Sequence, residues 1–134
     1  MDNLSKDKRS YIMSHIRSKD TKPEIFLRKA LFLKGLRYRK HYKLPGSPDI
    51  TFVSKKLVIF VNGCFWHGHR CKIDNNPASN KDYWREKIRN NKKRDEENYF
   101  KLVNLGWRYY IAWECSILDD LKNEVNNIIK ILNS

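Results

Sequence analysis

The stretch "KKLVIFV", Lys55 to Val61, constrains the fold more than any other, because its last five residues are consecutively apolar. A strand with one wet face alternates apolar and polar side chains, whereas one that is apolar on both faces lies inside a sheet covered from both sides. The chain must therefore supply neighbouring strands and helices for both faces. "LRYRKHYKL" partly alternates apolar and basic residues, "PGSP" forces a turn, and "DITFV" follows, so three adjacent strands are expected. Ahead of them, "SKDTKPEIFLRKALFLKG" has cap-type Asp20 and Thr21, Pro23 near the first turn and Gly35 as a stop, predicting a helix from about Lys22 to Lys34. After them, "DYWREKIRNNKKRDEENYFKLVNLG" predicts a long helix ended by Gly106, and "WRYYIAW" a further strand. Leu118, Leu121, Val125, Ile128, Ile129 and Leu132 form the apolar face of a closing helix. This order predicts an α/β (α+β) fold, a mixed central β-sheet flanked by helices, with the long helix letting the third and fourth strands run parallel through a right-handed crossover. No repeat, low-complexity tract or long linker interrupts it, so residues 1–134 are expected to form a single domain.

Lys and Arg number 28 against 15 Asp and Glu, a formal charge of +13, which favours a polyanionic partner. Nucleic acid leads and an acidic membrane surface comes second. No stretch approaches the roughly 20 apolar residues of a membrane span, and the basic residues do not lie on an amphipathic anchor. The opening "MDNLSKDKRSYIMSHIRSKD" is too polar for a secretory signal, so a cytoplasmic protein is expected. With three cysteines and no export signal, the thiols read as metal ligands or core residues rather than as a disulfide framework.

Two helices carry acids on their apolar stripes. Glu24 falls in register with Leu27 and Leu31, and Asp95 lies on the stripe Trp84, Ile88, Asn91, Asp95, Tyr99, Leu102. A third acid, Asp49, opens a strand after a proline turn in "LPGSPDITFV". A turn aspartate is common, but three acids meeting at one sheet edge in so cationic a chain suggest Mg²⁺ and phosphodiester cleavage, since hard oxygen ligands hold the ion beside the scissile phosphate. The loop "NGCFWHGHRC" offers Cys64, His69 and Cys71, and a strand beside the central one would bring Cys115 back to complete a tetrahedral N/S set of the structural-zinc kind. His67 could replace His69 or point the other way, toward an active centre. The adjacent rings of Phe65 and Trp66 cannot both face one core; they either wedge into a DNA duplex or pack over the loop.

These segments resemble the very short patch repair (Vsr) mismatch endonucleases of the PD-(D/E)xK nuclease superfamily. "MSHIRSKDTKPE", "LPGSPDITF", "VIFVNGCFWHGHRC", "YWREKIRNNKKRD" and "LGWRYYIAWEC" occur in the family's order between Ser10 and Leu118. The resemblance implies a restriction-endonuclease-like core and an enzyme that nicks one DNA strand 5′ of the T in a T:G mismatch, with catalytic Mg²⁺ and structural Zn²⁺. It implies that Asp49 and the Val61 backbone hold Mg²⁺, that His67 activates or orients the attacking water, and that Glu24 and Asp95 support the site, Asp95 through a histidine or water. It assigns Cys64, His69, Cys71 and Cys115 to zinc, and Met13, Phe65 and Trp66 to wedging into DNA, with residues 1–19 a basic DNA-contacting segment. A monomer associated with the nucleoid, with mismatch-repair proteins as further partners, completes the expectation. The superfamily's acid-x-lysine is replaced here by "FVNGC". Asn62 stands where some relatives have histidine or aspartate, and an amide can hydrogen-bond but not act as a base, which would lower activity if one is needed. A restriction-type nuclease on the same fold and a zinc-stabilised DNA-binding module without catalysis are the competing readings.

Overall fold

The computed structural model describes residues 21–64 and 81–134. In chain order these form α1 (Lys22–Leu33), β1 (Arg39–Lys40), β2 (Ile50–Phe52), β3 (Leu57–Asn62), α2 (Lys81–Asn104), β4 (Arg108–Trp113), α3 (Glu114–Asp119) and α4 (Leu121–Leu132). Among the described residues the strands form one mixed sheet in the order β1-β2-β3-β4. The first three run antiparallel, Ile50 opposite Ile59, while β3 and β4 are parallel, Ile59 opposite Tyr110. The fully apolar strand is thus an interior one, and the 24-residue α2 lies in the connection to its parallel neighbour, as parallel pairing requires.

The two faces of β3 belong to different cores. Leu57 and Ile59 pack with Leu27 and Leu31 of α1, Ile117 of α3 and Val125, Ile128 and Leu132 of α4. Val58 and Phe60 pack with Leu102 and Tyr99 of α2, together with Leu44 and Trp107. Alternate residues of one strand therefore meet helices on opposite sides, which is the two-layer cover its uniform apolarity demanded. On the α2 stripe Asn91 and Leu102 are buried and Ile88, Asp95 and Tyr99 half-buried, while the Trp84 side chain lies outside what the structure describes.

Local chemistry explains the boundaries. Gly106, at φ +87, ends α2, and Trp107 N–H returns to the Leu102 carbonyl at 3.0 Å, a glycine-terminated helix end. Gly46 adopts φ +84 and lies so close to Phe60 that a Cβ would come within 3.0 Å of its ring. Glycine there lets the "PGSP" turn lie flat on the core and delivers Asp49 to the start of β2.

Two expectations need correction. The alternating "LRYRKHYKL" yields only the two-residue β1, because His41 takes a left-handed φ of 53 and leaves the ladder. The closing helix is two helices: Asp120, at φ −151, breaks the chain, and its side chain accepts the Asn123 N–H at 3.1 Å to cap α4. Leu118 is consequently exposed rather than part of the apolar face. Glu124, buried on α4, is satisfied by the Tyr110 hydroxyl, which donates to its Oε2 at 2.7 Å. Tyr110→Phe leaves that carboxylate short of a donor and is expected to cost about 1.5 kcal/mol, measured by urea unfolding at neutral pH. Among the described residues no helix is long and apolar enough to cross a membrane.

Candidate active site

Asp49 stands where β2 begins, and two contacts place it. Its backbone N–H donates to the Ile59 carbonyl at 3.1 Å, and its Oδ2 accepts the Val61 N–H at 2.7 Å. Pro48 has no N–H to continue the ladder, so the carboxylate carries the β2–β3 pairing one step further. The acid is thereby held against the main chain of the interior strand, beside Val61.

Glu24 arrives from the first turn of α1, turned inward by the register that buries Leu27 and Leu31, and is only 2 % exposed. Arg28, one turn later, donates to Glu24 Oε2 at 2.9 Å from a position almost as buried. The spacing Glu24-x-x-x-Arg28 is the ordinary helical ion-pair interval, a signal already present in the sequence. Tyr38 adds a tie by donating its hydroxyl to the Arg28 carbonyl at 3.1 Å.

Burial, together with the hydrogen bond and negative charge of Glu24, pushes the Asp49 carboxyl up to about 8, against the opposing pull of the Val61 N–H and the Arg28 guanidinium. Two carboxyl groups in contact that retain a proton near neutrality are a pair poised to exchange it for a cation, because one divalent ion satisfies both charges. The donor set is all oxygen, as a hard ion prefers.

Asp95 does not join them. It sits on α2, one turn before Tyr99, on the sheet face opposite α1, and among the described residues no group of three or more His, Cys, Asp or Glu side chains gathers as for a metal. Its charge acts on Tyr99, whose hydroxyl is pushed up to about 12, first by burial. Asn62 faces the same side. Its amide, 5 % exposed, donates to the Tyr99 hydroxyl at 3.3 Å, and the Tyr99 ring stacks on Tyr109 at 4.5 Å. Val61 and Asn62 are neighbours in sequence but turn to opposite layers, Val61 toward the α1 side. The amide thus ties the end of β3 to α2.

At the same end of the parallel pair, Cys64 is fully buried and Cys115 follows β4. The Cys115 N–H donates to Cys64 Sγ at 3.4 Å, and the Cys64 N–H to Glu114 Oε1 at 3.4 Å. The parallel pairing of β3 and β4 thus brings the Cys115 main chain to the Cys64 sulfur. Met13, Phe65, Trp66, His67, His69 and Cys71 lie outside the described residues.

An acid pair at the end of the β2–β3 pair, in a chain of charge +13, suits hydrolysis of a polyanion, and the relatives of the chain make the class the DNA endonucleases. The chain belongs to the family described as DNA mismatch endonuclease Vsr, whose model matches residues 1–73. It is 46% identical over 131 residues to the type II nicking enzyme V.XorIIP of Xanthomonas oryzae, covering 96% of each chain. It is 45% identical over 124 residues to the type II nicking enzyme V.NmeAIP of Neisseria meningitidis, with 92% of this chain and 86% of that one covered. Against the DNA mismatch endonuclease Vsr of Escherichia coli the figures are 41% over 110 residues, 81% of this chain and 70% of the other. The mixed sheet with its flanking helices is consistent with a PD-(D/E)xK-like core, and the enzyme is a hydrolase.

Proposed function

We propose that this enzyme nicks one strand of duplex DNA 5′ of the T in a T:G mismatch, the lesion left by deamination of 5-methylcytosine, and so serves very short patch repair as a monomer in the cytoplasm. The observation that carries the reading is the contact between Glu24 and Asp49 on the Val61 main chain. Relatives named as nicking enzymes and as a mismatch endonuclease support the single-strand outcome and the mismatch. In this reading Asp49 and the Val61 backbone carbonyl hold Mg²⁺, which when bound stabilises charge on the scissile phosphate. Glu24 shapes the ion's surroundings, with Arg28 holding its carboxylate in place. His67 orients the attacking water, and Asp95, from the other layer, steadies that histidine directly or through a water. Asn62 contributes by position, since its amide cannot take a proton. Residues 1–134 act as one domain whose segment 1–19 contacts DNA, and Met13, Phe65 and Trp66 wedge beside the mismatch.

The test is incubation with Mg²⁺ and duplexes that differ only in T:G against C:G, across a panel of flanking sequences. Nicking confined to the T strand of the mismatch is expected. Equal cutting of both duplexes rejects mismatch specificity, and cleavage of both strands of matched DNA favours a restriction-type nuclease.

Zn²⁺ held by Cys64, His69, Cys71 and Cys115 belongs to the same proposal, supported by the contact between Cys115 and Cys64. Cys115→Ala is then expected to release zinc and to lower the melting temperature, since metal binding and folding are coupled. Unchanged zinc content by elemental analysis would show that the ligand set is misassigned.

A further inference from the structure

Between Glu24 and Asp49, the two acids of the pair, the chain contains no acidic residue and seven Lys or Arg. Three of these, Arg39, Lys40 and Lys43, cluster on the edge strand and the segment after it, all exposed, and among the described residues none has an acidic partner. Their position is not arbitrary. Lys40 pairs with Ile50, the residue after Asp49, so the β1 part of the cluster stands beside the start of the strand that carries Asp49. After β1 the main chain is anchored on the α2 layer: the Tyr42 ring meets Trp107 at 6.2 Å, and Leu44 packs into the core formed with Phe60 and Leu102. The described walls of a hollow of about 620 Å³ there are Arg39, Lys40, His41, Tyr42 and Lys43.

We propose that Arg39–Lys43 is a phosphate-binding edge that carries the backbone of duplex DNA past the Glu24–Asp49 pair. This assignment rests on duplex DNA being the substrate. Carboxylates alone repel a phosphodiester, so a cationic rail beside them is what lets the polyanion approach. The outer edge of β1 adds main-chain groups outside the sheet's ladder, and backbone N–H groups are common phosphate donors. Cations on an edge strand also discourage edge-to-edge aggregation. That role alone needs neither proximity to the acids nor the absence of counter-charges.

The experiment compares three triple variants by fluorescence anisotropy on a T:G duplex, titrated from low to moderate salt without divalent ions. Arg39→Gln/Lys40→Gln/Lys43→Gln removes the edge. Lys34→Gln/Lys55→Gln/Lys56→Gln removes the same charge from the opposite end of the sheet, where α1 ends and β2 turns into β3. Arg39→Lys/Lys40→Arg/Lys43→Arg keeps the charge. All six positions are exposed, so melting temperatures close to wild type are expected. Each phosphate contact contributes about 0.9 to the slope of log K against log salt, so the first variant is expected to lose roughly two to three from that slope and to weaken Kd at least about tenfold. The distal variant should lose less than about one, and the charge-keeping variant should match wild type. Equal losses in the two neutralised variants, or aggregation of the edge variant with an unchanged slope, overturn the assignment. Wild-type protein without salt-dependent duplex binding would overturn the substrate reading as well, which separates the two failures.

Discussion

Asp49→Asn is expected to reduce nicking of a T:G duplex by at least about 1,000-fold, the loss of roughly 4 kcal/mol of transition-state stabilisation, while duplex binding survives. The amide preserves shape and can still accept the Val61 N–H, but it cannot hold a cation by charge. Persistence of wild-type nicking would remove Asp49 from the chemistry. The same variant has a stability signature of opposite sign. The Asp49 carboxyl sits at about 8 in the folded chain against 3.8 ordinarily, chiefly through burial and then through Glu24. Between those values the native state holds a proton that the unfolded chain has released, so wild-type stability, fully present below about pH 4, declines as pH rises and levels off above about pH 8. Asparagine carries no such group. In divalent-free buffer the variant should therefore melt above wild type at neutral pH, with the gap closing toward pH 4. Parallel melting curves across that range would mean that the Asp49 carboxyl is not raised in the folded chain.

Ile59→Ala is expected to cost about 3 kcal/mol and to lower the melting temperature by roughly 10 °C. Ile59 is fully buried, sits between Ile50 and Tyr110 in the ladder, and packs under α1 and α4, so no neighbour can collapse into the space without disturbing both layers. Phe100→Ala removes a larger side chain that is 69 % exposed, and should change stability by no more than about 0.5 kcal/mol. Urea unfolding of the two variants side by side checks the pair. Comparable losses would place the core elsewhere.

The elements were legible where one local rule dominated. Consecutive apolar residues marked β3 as interior, the Glu24–Leu27–Leu31 interval marked the inward face of α1, and Gly106 marked the end of α2. Legibility failed where a single backbone torsion decided the outcome. His41 leaves the ladder in a left-handed conformation that partial alternation does not encode, and Asp120 interrupts an apolar periodicity that reads as continuous from Leu118 onward. In both places hydrophobic spacing is unchanged by the break, so spacing cannot report it.

The acids illustrate the same division. That Glu24 and Asp95 turn inward follows from helical periodicity, which is a property of neighbours three and four residues apart. Which of them meets Asp49 depends on the side of the sheet each helix covers, and periodicity says nothing about sides. The fold puts α1 on the layer of Ile59 and α2 on the layer of Phe60. Glu24 thus reaches Asp49, and Asp95 instead acts on Tyr99. Residue types and their order were enough for inward-facing acids in a cationic α+β domain. Its pairing, its Arg28 tie and the split between Val61 and Asn62 arise from contacts distant in sequence, which exist only once the sheet has closed and its two faces have been covered.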